Sequence, residues 1–413
     1  MFDRGISVIG LGYIGLPTSA AIAAQGVRVY GVDVNTATVD AVNAGEVPIV
    51  EPDLDVAVAG AVARGHLTAA TTPGPADVHI IAVPTPFREG HQPDLSYVRS
   101  AAEAIAPCVQ PGDVVILEST SPPGTTLKVS EWIAAKRPDL RMPHQDAEAP
   151  QVHVAHCPER VLPGRIMVEL VTNDRVVGGL TPACAERAAA LYELFCQGEI
   201  LLTDAASAEM AKLVENSFRD VNIAFANELS NICDRLGFDV WEIIRLANRH
   251  PRVNVLNPGP GVGGHCIAVD PWFIVAAAPE EAVLIRQARE TNDGRPAGVV
   301  ARIRQTARAG ETIACLGLAF KADIDDIRES PSVEVVRELA LAEPARKILA
   351  VEPHVTELPR ELVGFDNVRL TGLDEALAEA GTLVLLVDHQ AFTAIDEDLL
   401  RSKSLVDTRG FWR

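Results

Sequence analysis

Near its start the chain reads Ile6-Ser-Val-Ile-Gly-Leu-Gly-Tyr-Ile-Gly15, a short apolar run that leads into three closely spaced glycines. The apolar run predicts a buried strand, and residues 14–25 have the pattern of a helix that ends at Gly26. Residues 27–33 predict a second strand. This order of strand, turn, helix and strand is the context in which a Gly-x-Gly-x-x-Gly sequence binds a dinucleotide.

The glycines of this turn have separate tasks. Gly10 permits the tight turn, Gly12 lets a pyrophosphate approach the backbone, and Gly15 allows close packing of the helix. The N-terminus of that helix then faces the phosphates. Asp33 ends the second strand, where a carboxylate accepts hydrogen bonds from ribose hydroxyls and would repel a 2′-phosphate. We therefore expect NAD rather than NADP.

The composition indicates a globular protein, and 413 residues are too many for one core, so we expect two or three domains. A formal net charge of −20 argues against nucleic-acid or anionic-membrane partners, which need a basic surface. The seven cysteines are scattered, without metal-ligand spacing, which favours a reduced, cytoplasmic compartment and no metal site. Residues 6–24 are apolar enough for a signal peptide, but the dinucleotide turn explains them better.

Polar or proline-rich turns follow three further predicted strands. The strands are residues 77–83, 113–117 and 151–155, and the turns are residues 84–86, 118–126 and 156–160. Ligands bind at the carboxyl ends of parallel strands in open α/β sheets, so we expect these turns to face one crevice. Their candidate side chains are Thr85, Thr120, Glu159 and Arg160. Taken singly, each could be a capping hydroxyl or a surface charge.

A long helix without proline is predicted from about residue 204 to residue 236. Lys212, Asn216 and Arg219 fall on one stripe of this helix because they are spaced by four and three residues. Such a stripe is usually a solvated face, and the alternative is a functional surface. A helix of this length commonly spans between domains or subunits, so we expect a homo-oligomer with a dimer built on this helix, and both a homodimer and a tetramer stay open.

Residues 257–271 crowd four glycines and three prolines around Cys266, with Asp270 four residues further on. Glycine lets a backbone approach a ligand, and proline holds the flanking chain. A thiol on such a loop can act as a nucleophile, and the alternative is a turn around a buried cysteine. Arg249 and Arg252 precede the loop as cations suited to phosphate or carboxylate.

The last third of the chain predicts a second α/β domain without the glycine turn. Its strand patterns are residues 311–317, 347–351, 382–387 and 405–407. Lys321 follows the first of these strands. This position indicates a nucleotide-like ligand that is held differently from the one at the amino terminus.

Several segments, taken in order, are similar to the nucleotide-sugar 6-dehydrogenases. They are Gly-Leu-Gly-Tyr-Ile-Gly-Leu-Pro (10–17), Val-Pro-Thr-Pro (83–86), Ser-Thr-Ser-Pro-Pro-Gly-Thr-Thr (119–126), Cys-Pro-Glu-Arg (157–160), Ala-Lys-Leu-Val-Glu-Asn (211–216), Gly-Gly-His-Cys (263–266) and Gly-Leu-Ala-Phe-Lys (317–321). The resemblance implies two Rossmann-like doubly wound domains joined by a long central helix and a helical middle domain. The NAD-binding domain would be residues 1–203, the middle domain with the cysteine loop residues 204–300, and the UDP-binding domain residues 301–413.

The resemblance also implies a reaction. A primary alcohol is oxidised to a carboxylate by two successive hydride transfers to NAD, and the aldehyde is not released. Residues 159–164, 215–228 and 246–255 are similar to the members that act on UDP-N-acetyl-D-mannosamine for surface polysaccharides such as enterobacterial common antigen. Arg160, Val161 and Pro163 depart from the UDP-glucose members. UDP-glucose and UDP-N-acetylglucosamine stay open as alternative substrates.

Roles carry over residue by residue from the motifs. Cys266 would form a thiohemiacetal and then a thioester, with Lys212 and Asn216 at the reacting oxygen. Which group positions or deprotonates water stays open among Thr120, Asp270 and Glu159. The implied NAD contacts are Gly10, Gly12, Tyr13, Ile14, Gly15, Asp33, Pro84, Thr85, Thr120 and Arg328. The implied contacts to the UDP-sugar are Arg160, Val161, Lys212, Asn216, Arg219, His250, Arg252, Gly263, Phe320 and Lys321, and Arg252 would act across a subunit interface.

Two other classes of protein stay open at this point. A one-step β-hydroxyacid dehydrogenase shares the Rossmann domain and a helical lysine and asparagine, but it needs neither the cysteine loop nor a second α/β domain. A catalytically silent NAD-binding protein would tolerate the loss of Lys212 or Cys266.

Overall fold

Short, fully buried apolar runs form the centre of the amino-terminal sheet. Ile6–Ile9, Val78–Ile81 and Val114–Leu117 have no exposed residue, as expected for parallel strands covered by helices on both faces. The structure is a computed structural model that describes residues 2–49, 51–264 and 266–412. The chain divides into two units, residues 1–215 and 216–413.

The first unit alternates strands and helices. Its strands are β1 (Ile6–Ile9), β2 (Val29–Val32), β3 (Leu67–Ala70), β4 (Val78–Ile81), β5 (Phe87–Arg88), β6 (Gln92–Pro93), β7 (Val114–Leu117), β8 (His153–His156), β9 (Arg175–Gly179) and β10 (Ile200–Asp204). Its helices are α1 (Gly15–Ala24), α2 (Thr36–Asn43), α3 (Leu54–Ala63), α4 (Ser96–Ile105), α5 (Thr125–Lys136), α6 (Ile166–Thr172), α7 (Pro182–Tyr192) and the start of α8 (Ala205–Leu236).

Eight of these strands form one sheet in the order β10-β9-β8-β7-β4-β1-β2-β3. From β3 to β8 all neighbours are parallel, which is the strand order of a dinucleotide-binding domain. β9 runs antiparallel to β8 and extends the sheet together with β10. Ile9 pairs in register with Val32, so Gly10 and Asp33 leave the sheet at the same edge.

The second unit contains the rest of α8, a group of helices and a smaller sheet. The helices are α9 (Val240–Ala247), α10 (Asp270–Ala277), α11 (Val283–Asp293), α12 (Arg295–Thr306), α13 (Pro331–Ala342), α14 (Leu373–Glu379) and α15 (Glu397–Arg401). The strands are β11 (Ile313–Leu316), β12 (Ile348–Val351), β13 (Val368–Leu370), β14 (Thr382–Leu385) and β15 (Ser404–Asp407).

These five strands are all parallel, in the order β13-β12-β11-β14-β15. The sequence-based prediction of an α/β fold with two Rossmann-like domains and helices between them is confirmed. The three-domain boundaries expected from the sequence stay a prediction. Among the described residues, no helix is both long and apolar enough to span a bilayer.

Candidate active site

The glycine turn after β1 has the geometry that a dinucleotide needs. Gly10 has a φ of +98°, which favours glycine, and a Cβ on Gly15 would lie 1.8 Å from the carbonyl oxygen of Gly10. A Cβ on Gly12 would meet no atom of the residues described in the structure within 4 Å, its chain neighbours aside. The backbone at Gly12 is therefore open on the side where a pyrophosphate would approach, and α1 begins directly after it at Gly15.

Asp33 follows β2 and is oriented by this turn. Its Oδ2 accepts the backbone N–H of Leu11 at 2.9 Å, and its Oδ1 accepts the N–H of Asn35 at 2.9 Å. The carboxylate is only half-buried, so each oxygen can accept a further hydrogen bond from a ribose hydroxyl. The residues around Gly10 thus fit NAD.

The turns after β4 and β7 contact each other. The Oγ1 of Thr85 donates to the carbonyl of Thr120 at 2.6 Å, and Ser119 donates to the carbonyl of Val83 at 2.7 Å. Pro84 lies exposed beside them. The structure therefore brings Thr85 and Thr120 together at the edge of the sheet that Gly10 also occupies.

A buried glutamate that the sequence did not single out joins α8 to this edge. Glu209 accepts the N–H groups of Gly124 and Thr126 at 2.6 and 2.7 Å, and also the hydroxyl of Thr126. Lys212 lies three residues further along the helix and is buried. The interpretation of the helical stripe as a solvated face is wrong for Lys212 and for Asn216, which are both buried, whereas Arg219 is exposed.

Glu159 lies in the turn after β8 and is 7% exposed. Burial raises the pKa of Glu159, because the ionised form loses its hydration. The N–H of Val161, at 2.8 Å from the carboxylate, and the charges of Lys212 and Arg175 oppose that rise. A carboxylate with a raised pKa is a stronger proton acceptor than an ordinary one.

Arg160 and Val161 border a shallow cleft on the first unit that has room for about one water molecule. Its lining residues are Pro158, Glu159, Arg160, Val161, Glu169, Asn173, Asp174 and Arg175. The Arg160 guanidinium contacts Glu215 at 2.6 Å and donates to the carbonyl of Asp174 at 3.1 Å. An anionic ligand in this cleft would have to compete with Glu215 for Arg160.

Glu118 is a buried titratable group that was not predicted as a site residue from the sequence. Glu118 has a pKa raised to about 7, chiefly by burial, and it accepts the Tyr192 hydroxyl at 3.1 Å. The guanidinium of Arg175 lies 4.7 Å from the centre of the Tyr192 ring and partly offsets the rise. The position of Glu118 directly after β7 was the only signal in the sequence.

In the second unit, Asp270 links Asn216 to the cysteine loop. The Nδ2 of Asn216 donates to Oδ2 of Asp270 at 2.5 Å, and both residues are buried. The carbonyl of Cys266 accepts the N–H groups of Asp270 and Val269 at 2.9 and 3.1 Å. Cys266 is exposed, so the interpretation of the loop as a turn around a buried cysteine is wrong.

The glycines of the loop allow close packing against Phe320. Gly264 has a φ of +82°, and a Cβ there would lie 3.2 Å from the Phe320 ring. A Cβ on Gly263 would lie 2.5 Å from the carbonyl of Glu329. The loop that carries the thiol thus rests on the turn that carries Phe320 and the exposed Lys321.

Buried polar side chains hold both ends of the cysteine loop, and the sequence analysis did not find them. The N–H of Gly259 donates to Asn227 at 2.9 Å, and its carbonyl accepts Nε of Arg295 at 2.9 Å. At the other end, Arg289 contacts the carbonyl of Ile267 at 3.4 Å and pairs with Asp220 at 2.5 Å. Only their burial distinguishes these residues from ordinary helix-surface polar residues, and burial is not visible in the sequence.

The remaining candidates lie on the surface of the second unit. His250 and Arg252 are exposed, and the N–H of Arg252 donates to the His250 ring at 3.3 Å. Arg328, expected to bind NAD phosphates, is engaged by both oxygens of Asp326 at 2.8 and 2.6 Å. Its role stays a prediction.

Comparison with known proteins places this geometry in a family. Three domain profiles of the UDP-glucose/GDP-mannose dehydrogenase family match the chain: the NAD binding domain at residues 4–196, the central domain at 206–294 and the UDP binding domain at 314–413. The chain belongs to this family. It is an NAD-dependent nucleotide-sugar dehydrogenase, which sets aside both the one-step β-hydroxyacid dehydrogenase and the silent NAD-binding protein.

Among relatives in the UDP-glucose/GDP-mannose dehydrogenase family, an NDP-N-acetyl-D-galactosaminuronic acid dehydrogenase from Ralstonia nicotianae is 58% identical over 99% of this chain and 96% of its own. The UDP-N-acetyl-D-mannosamine dehydrogenase of Escherichia coli is 56% identical over 99% of both chains. The structure of a UDP-D-ManNAc dehydrogenase from Pyrococcus horikoshii superposes with a TM-score of 0.87 at 37% identity, covering 99% of this chain and 96% of that one. These similarities confirm the predicted family, fold and cofactor.

Proposed function

We propose that this enzyme oxidises the C6 alcohol of UDP-N-acetyl-D-mannosamine to the carboxylate of UDP-N-acetyl-D-mannosaminuronate. The observation that carries the proposal is the exposed Cys266 on its glycine-rich loop, with its carbonyl held by the N–H groups of Val269 and Asp270. A one-step alcohol dehydrogenase needs no such thiol. Oxidation through the aldehyde to the acid does, because the thiol keeps the aldehyde bound between the two steps.

The cofactor contacts in this proposal are the glycine turn at residues 10–15 with Tyr13 and Ile14, Asp33, and the paired turns with Pro84, Thr85 and Thr120. NAD, when bound there, accepts the hydride in each of the two oxidations. The open backbone at Gly12 and the half-buried Asp33 support this assignment.

In the proposed chemistry, the Cys266 thiolate adds to the aldehyde carbon and forms a thiohemiacetal. Loss of a hydride from that carbon gives a thioester, and water cleaves the thioester to release the carboxylate and restore the thiol. Lys212 would stabilise the oxyanion as a fixed, buried cation, with Asn216 at the same oxygen. The bond from Asn216 to Asp270 would fix the direction of that amide.

Glu159 is the candidate that we favour to deprotonate water. Its raised pKa makes the Glu159 carboxylate a stronger proton acceptor than an ordinary one, whereas Asp270 already accepts a short bond from Asn216. Thr120 would position water or cofactor through its contact with Thr85. Each oxidation transfers one hydride to NAD and releases one proton, and hydrolysis of the thioester consumes one water and releases a further proton. The full reaction therefore consumes one water and reduces two NAD per sugar.

Residues of both units are proposed as substrate contacts, as the family resemblance implies. Arg160 and Val161 would meet the sugar, and Phe320 and Lys321 the UDP portion, since the family assigns UDP binding to residues 314–413. Gly263, Arg219, His250 and Arg252 complete the proposed set. The exposed Arg252 would serve the site of a second copy of the chain.

A homodimer through α8 is part of this proposal. Phe218, Phe225, Ile232 and Leu236 are spaced by seven, seven and four residues, so they share one face of the helix, and each is between 45% and 68% exposed. A continuous apolar face of this kind is suited to pairing with the same face of another copy. The cytoplasm is the proposed compartment, and surface polysaccharides such as enterobacterial common antigen are the proposed destination of the product.

A second substrate is favoured by a specific observation. The relative named for N-acetyl-D-galactosaminuronic acid is 58% identical, against 56% for the relative named for N-acetyl-D-mannosamine. Both sugars carry an N-acetyl group and a C6 alcohol, and they differ in configuration at C2 and C4. The proposed chemistry applies equally to either sugar, so only turnover distinguishes them.

The test is the amount of NADH formed per nucleotide sugar consumed, with UDP-N-acetylmannosamine, UDP-N-acetylgalactosamine and UDP-glucose measured side by side. We expect two NADH per UDP-N-acetylmannosamine and little turnover of UDP-glucose. Two NADH from UDP-N-acetylgalactosamine alone would replace the proposed sugar and keep the mechanism. One NADH with free aldehyde would contradict the role of Cys266.

Variants of two cysteines separate the thiol chemistry from general effects. Cys266→Ser should lose nearly all oxidation to the acid, because a serine hydroxyl stays protonated near neutral pH and is a far poorer nucleophile than a thiolate, and an alkoxide is also the poorer leaving group. Cys108→Ser is the control, since its thiol only donates to the carbonyl of Pro73 and serine can do the same. Equal activity of the two variants would refute the thioester route.

A further inference from the structure

The two Rossmann-like sheets share one local arrangement at their first strands. Both β1 and β11 are followed directly by a glycine with positive φ, +98° at Gly10 and +94° at Gly317. The following leucine then donates its N–H to an acid that comes directly after the neighbouring strand. Leu11 donates to Asp33 at 2.9 Å, and Leu318 donates to Glu352 at 2.7 Å.

Asp33 and Glu352 differ in their exposure and in the number of protein groups that donate hydrogen bonds to them. Asp33 is half-buried and keeps room for ribose hydroxyls, whereas Glu352 is 6% exposed. Glu352 accepts four groups of the protein: the N–H groups of Leu318, Ala319 and His354, and Nε2 of His389 at 3.1 Å. Burial opposes ionisation, but the bond from His389 and these N–H groups lower the pKa of Glu352. The Glu352 carboxylate therefore accepts hydrogen bonds from the protein itself, mostly from backbone N–H groups.

His389, which follows β14, completes the arrangement. Its ring is fully buried, and its Nδ1 accepts the N–H of Asp323 at 3.0 Å. A neutral imidazole that carries its proton on Nε2 satisfies Glu352 and Asp323 at the same time. The His389 ring thus connects both ends of the turn 318–323. It contacts Glu352, which accepts the N–H groups at the start of the turn, and it accepts the N–H of Asp323 at the end. Asp323 has a φ of +60°.

The same place offers metal-binding groups, since ligand atoms of Asp323, His354 and His389 lie within 4.8 Å of one another. Both ring nitrogens of His389 are already engaged, by Glu352 and by the N–H of Asp323. A metal on Nδ1 would displace that N–H. The hydrogen bonds therefore favour a clamp on the turn over a metal site.

We propose that Glu352 and His389 are positioning residues for UDP binding. They hold the turn 318–323 so that Phe320 and Lys321, which lie between its two tied ends, meet the nucleotide. In the first domain the equivalent acid is left open for a ribose, whereas here His389 covers it. The proposal rests on the role that the proposed function gives to Phe320 and Lys321, but it requires neither the thioester route nor a particular sugar.

The experiment compares His389→Leu with His389→Gln, using UDP itself as the titrated ligand. Leucine fills the space without either polar atom, and glutamine can still donate to Glu352 and accept from Asp323. We expect His389→Leu to weaken UDP binding by about tenfold or more, because two buried partners lose their hydrogen bonds. The KM for the nucleotide sugar should rise in parallel, with kcat at saturation and the KM for NAD little changed, and His389→Gln should recover most of the affinity.

Asp33→Asn is the reciprocal variant, expected to raise the KM for NAD and leave the affinity for UDP unchanged. If His389→Leu does not fold, Glu352→Gln replaces it, because that change keeps the shape and removes the charge that receives four donors. A folded His389→Leu or Glu352→Gln protein with the parent's UDP affinity would overturn the proposal. So would an equal loss of NAD and UDP affinity. A failure of the proposed sugar or thiol chemistry would leave the UDP titration unaffected.

Discussion

The glycines of the first turn lack a side chain for different reasons. At Gly15 a Cβ would collide with the carbonyl of Gly10 at 1.8 Å, so the protein itself excludes any larger residue. At Gly12, apart from its neighbours in the chain, no atom of the described residues lies within 4 Å of that position. A ligand that comes close to the backbone would account for the absence of a side chain at Gly12.

Alanine at these two positions should therefore act on different measurements. Gly15→Ala should lower the free energy of unfolding by about 3 kcal/mol or more, because the helix must move away from the strand. Gly12→Ala should change stability by less than about 0.5 kcal/mol and raise the KM for NAD by about tenfold. Denaturant unfolding and initial rates at varied NAD would test both, and a destabilised Gly12→Ala protein would contradict the interpretation.

Single residues could be predicted from the sequence where their chemistry requires a visible neighbour in the chain. The glycine turn and Asp33 are recognised from spacing alone, and Cys266 from its glycine-rich surroundings. Glu118, Arg175 and Glu209 could not be found, because their importance comes from burial beside residues that are far away in sequence. The sequence does not distinguish a buried charged residue from an exposed one.

The cysteine loop depends on three helices for its position. α8 contributes Asn227 and Asp220, α11 contributes Arg289, and α12 contributes Arg295. Burial lowers the pKa of Arg295 to about 10, and burial raises that of Asp220 to about 6, where the charge of Arg289 opposes the rise. Buried polar groups of this kind are costly unless they are satisfied, so they specify one arrangement of the loop.

Arg295→Met should remove the donor to the Gly259 carbonyl and loosen the loop. We expect kcat to fall by about tenfold or more, with little change in the KM for NAD, because a buried carbonyl without a donor costs about 1–3 kcal/mol. Arg304→Met is the matched control on α12, where an exposed arginine pairs with Glu343. The rate at which a thiol reagent labels Cys266 should change in the first variant alone, and equal rates would argue against the anchoring role.

The regular elements were predicted best where a strand is uniformly apolar or a helix is long. β1, β4, β7 and β11 match their predicted positions, and α8 runs from Ala205 to Leu236 against a prediction of 204–236. The strands β3, β9, β10 and β13 were not predicted, and neither were the two-residue strands β5 and β6. Leu67–Ala70 and Val368–Leu370 are short edge strands with exposed residues, and Arg175–Gly179 contains an arginine and two glycines. Their pairing in the sheet, rather than their own composition, makes them strands.

For the assembled protein, the apolar face of α8 is the feature that the proposed homodimer explains. Phe225 is 57% exposed and Ile232 is 45% exposed in the single chain. Changing both residues to aspartate should convert a dimer into monomers, because four carboxylates would face each other in the paired helices. Sedimentation velocity would measure this, with Leu341→Asp on α13 as an equally exposed control. A parent protein that sediments as a monomer at micromolar concentration would contradict the dimer.

The contact between Gly264 and the Phe320 ring links the place where the molecule would hold its substrate to the place where it would react. Such an enzyme would bind the nucleotide end of its substrate and react with the sugar end. A free hexosamine has no nucleotide, so it would leave the nucleotide-binding part of the site empty. Oxidation would thereby be restricted to sugars that are already linked to a nucleotide, and free sugars would not be consumed.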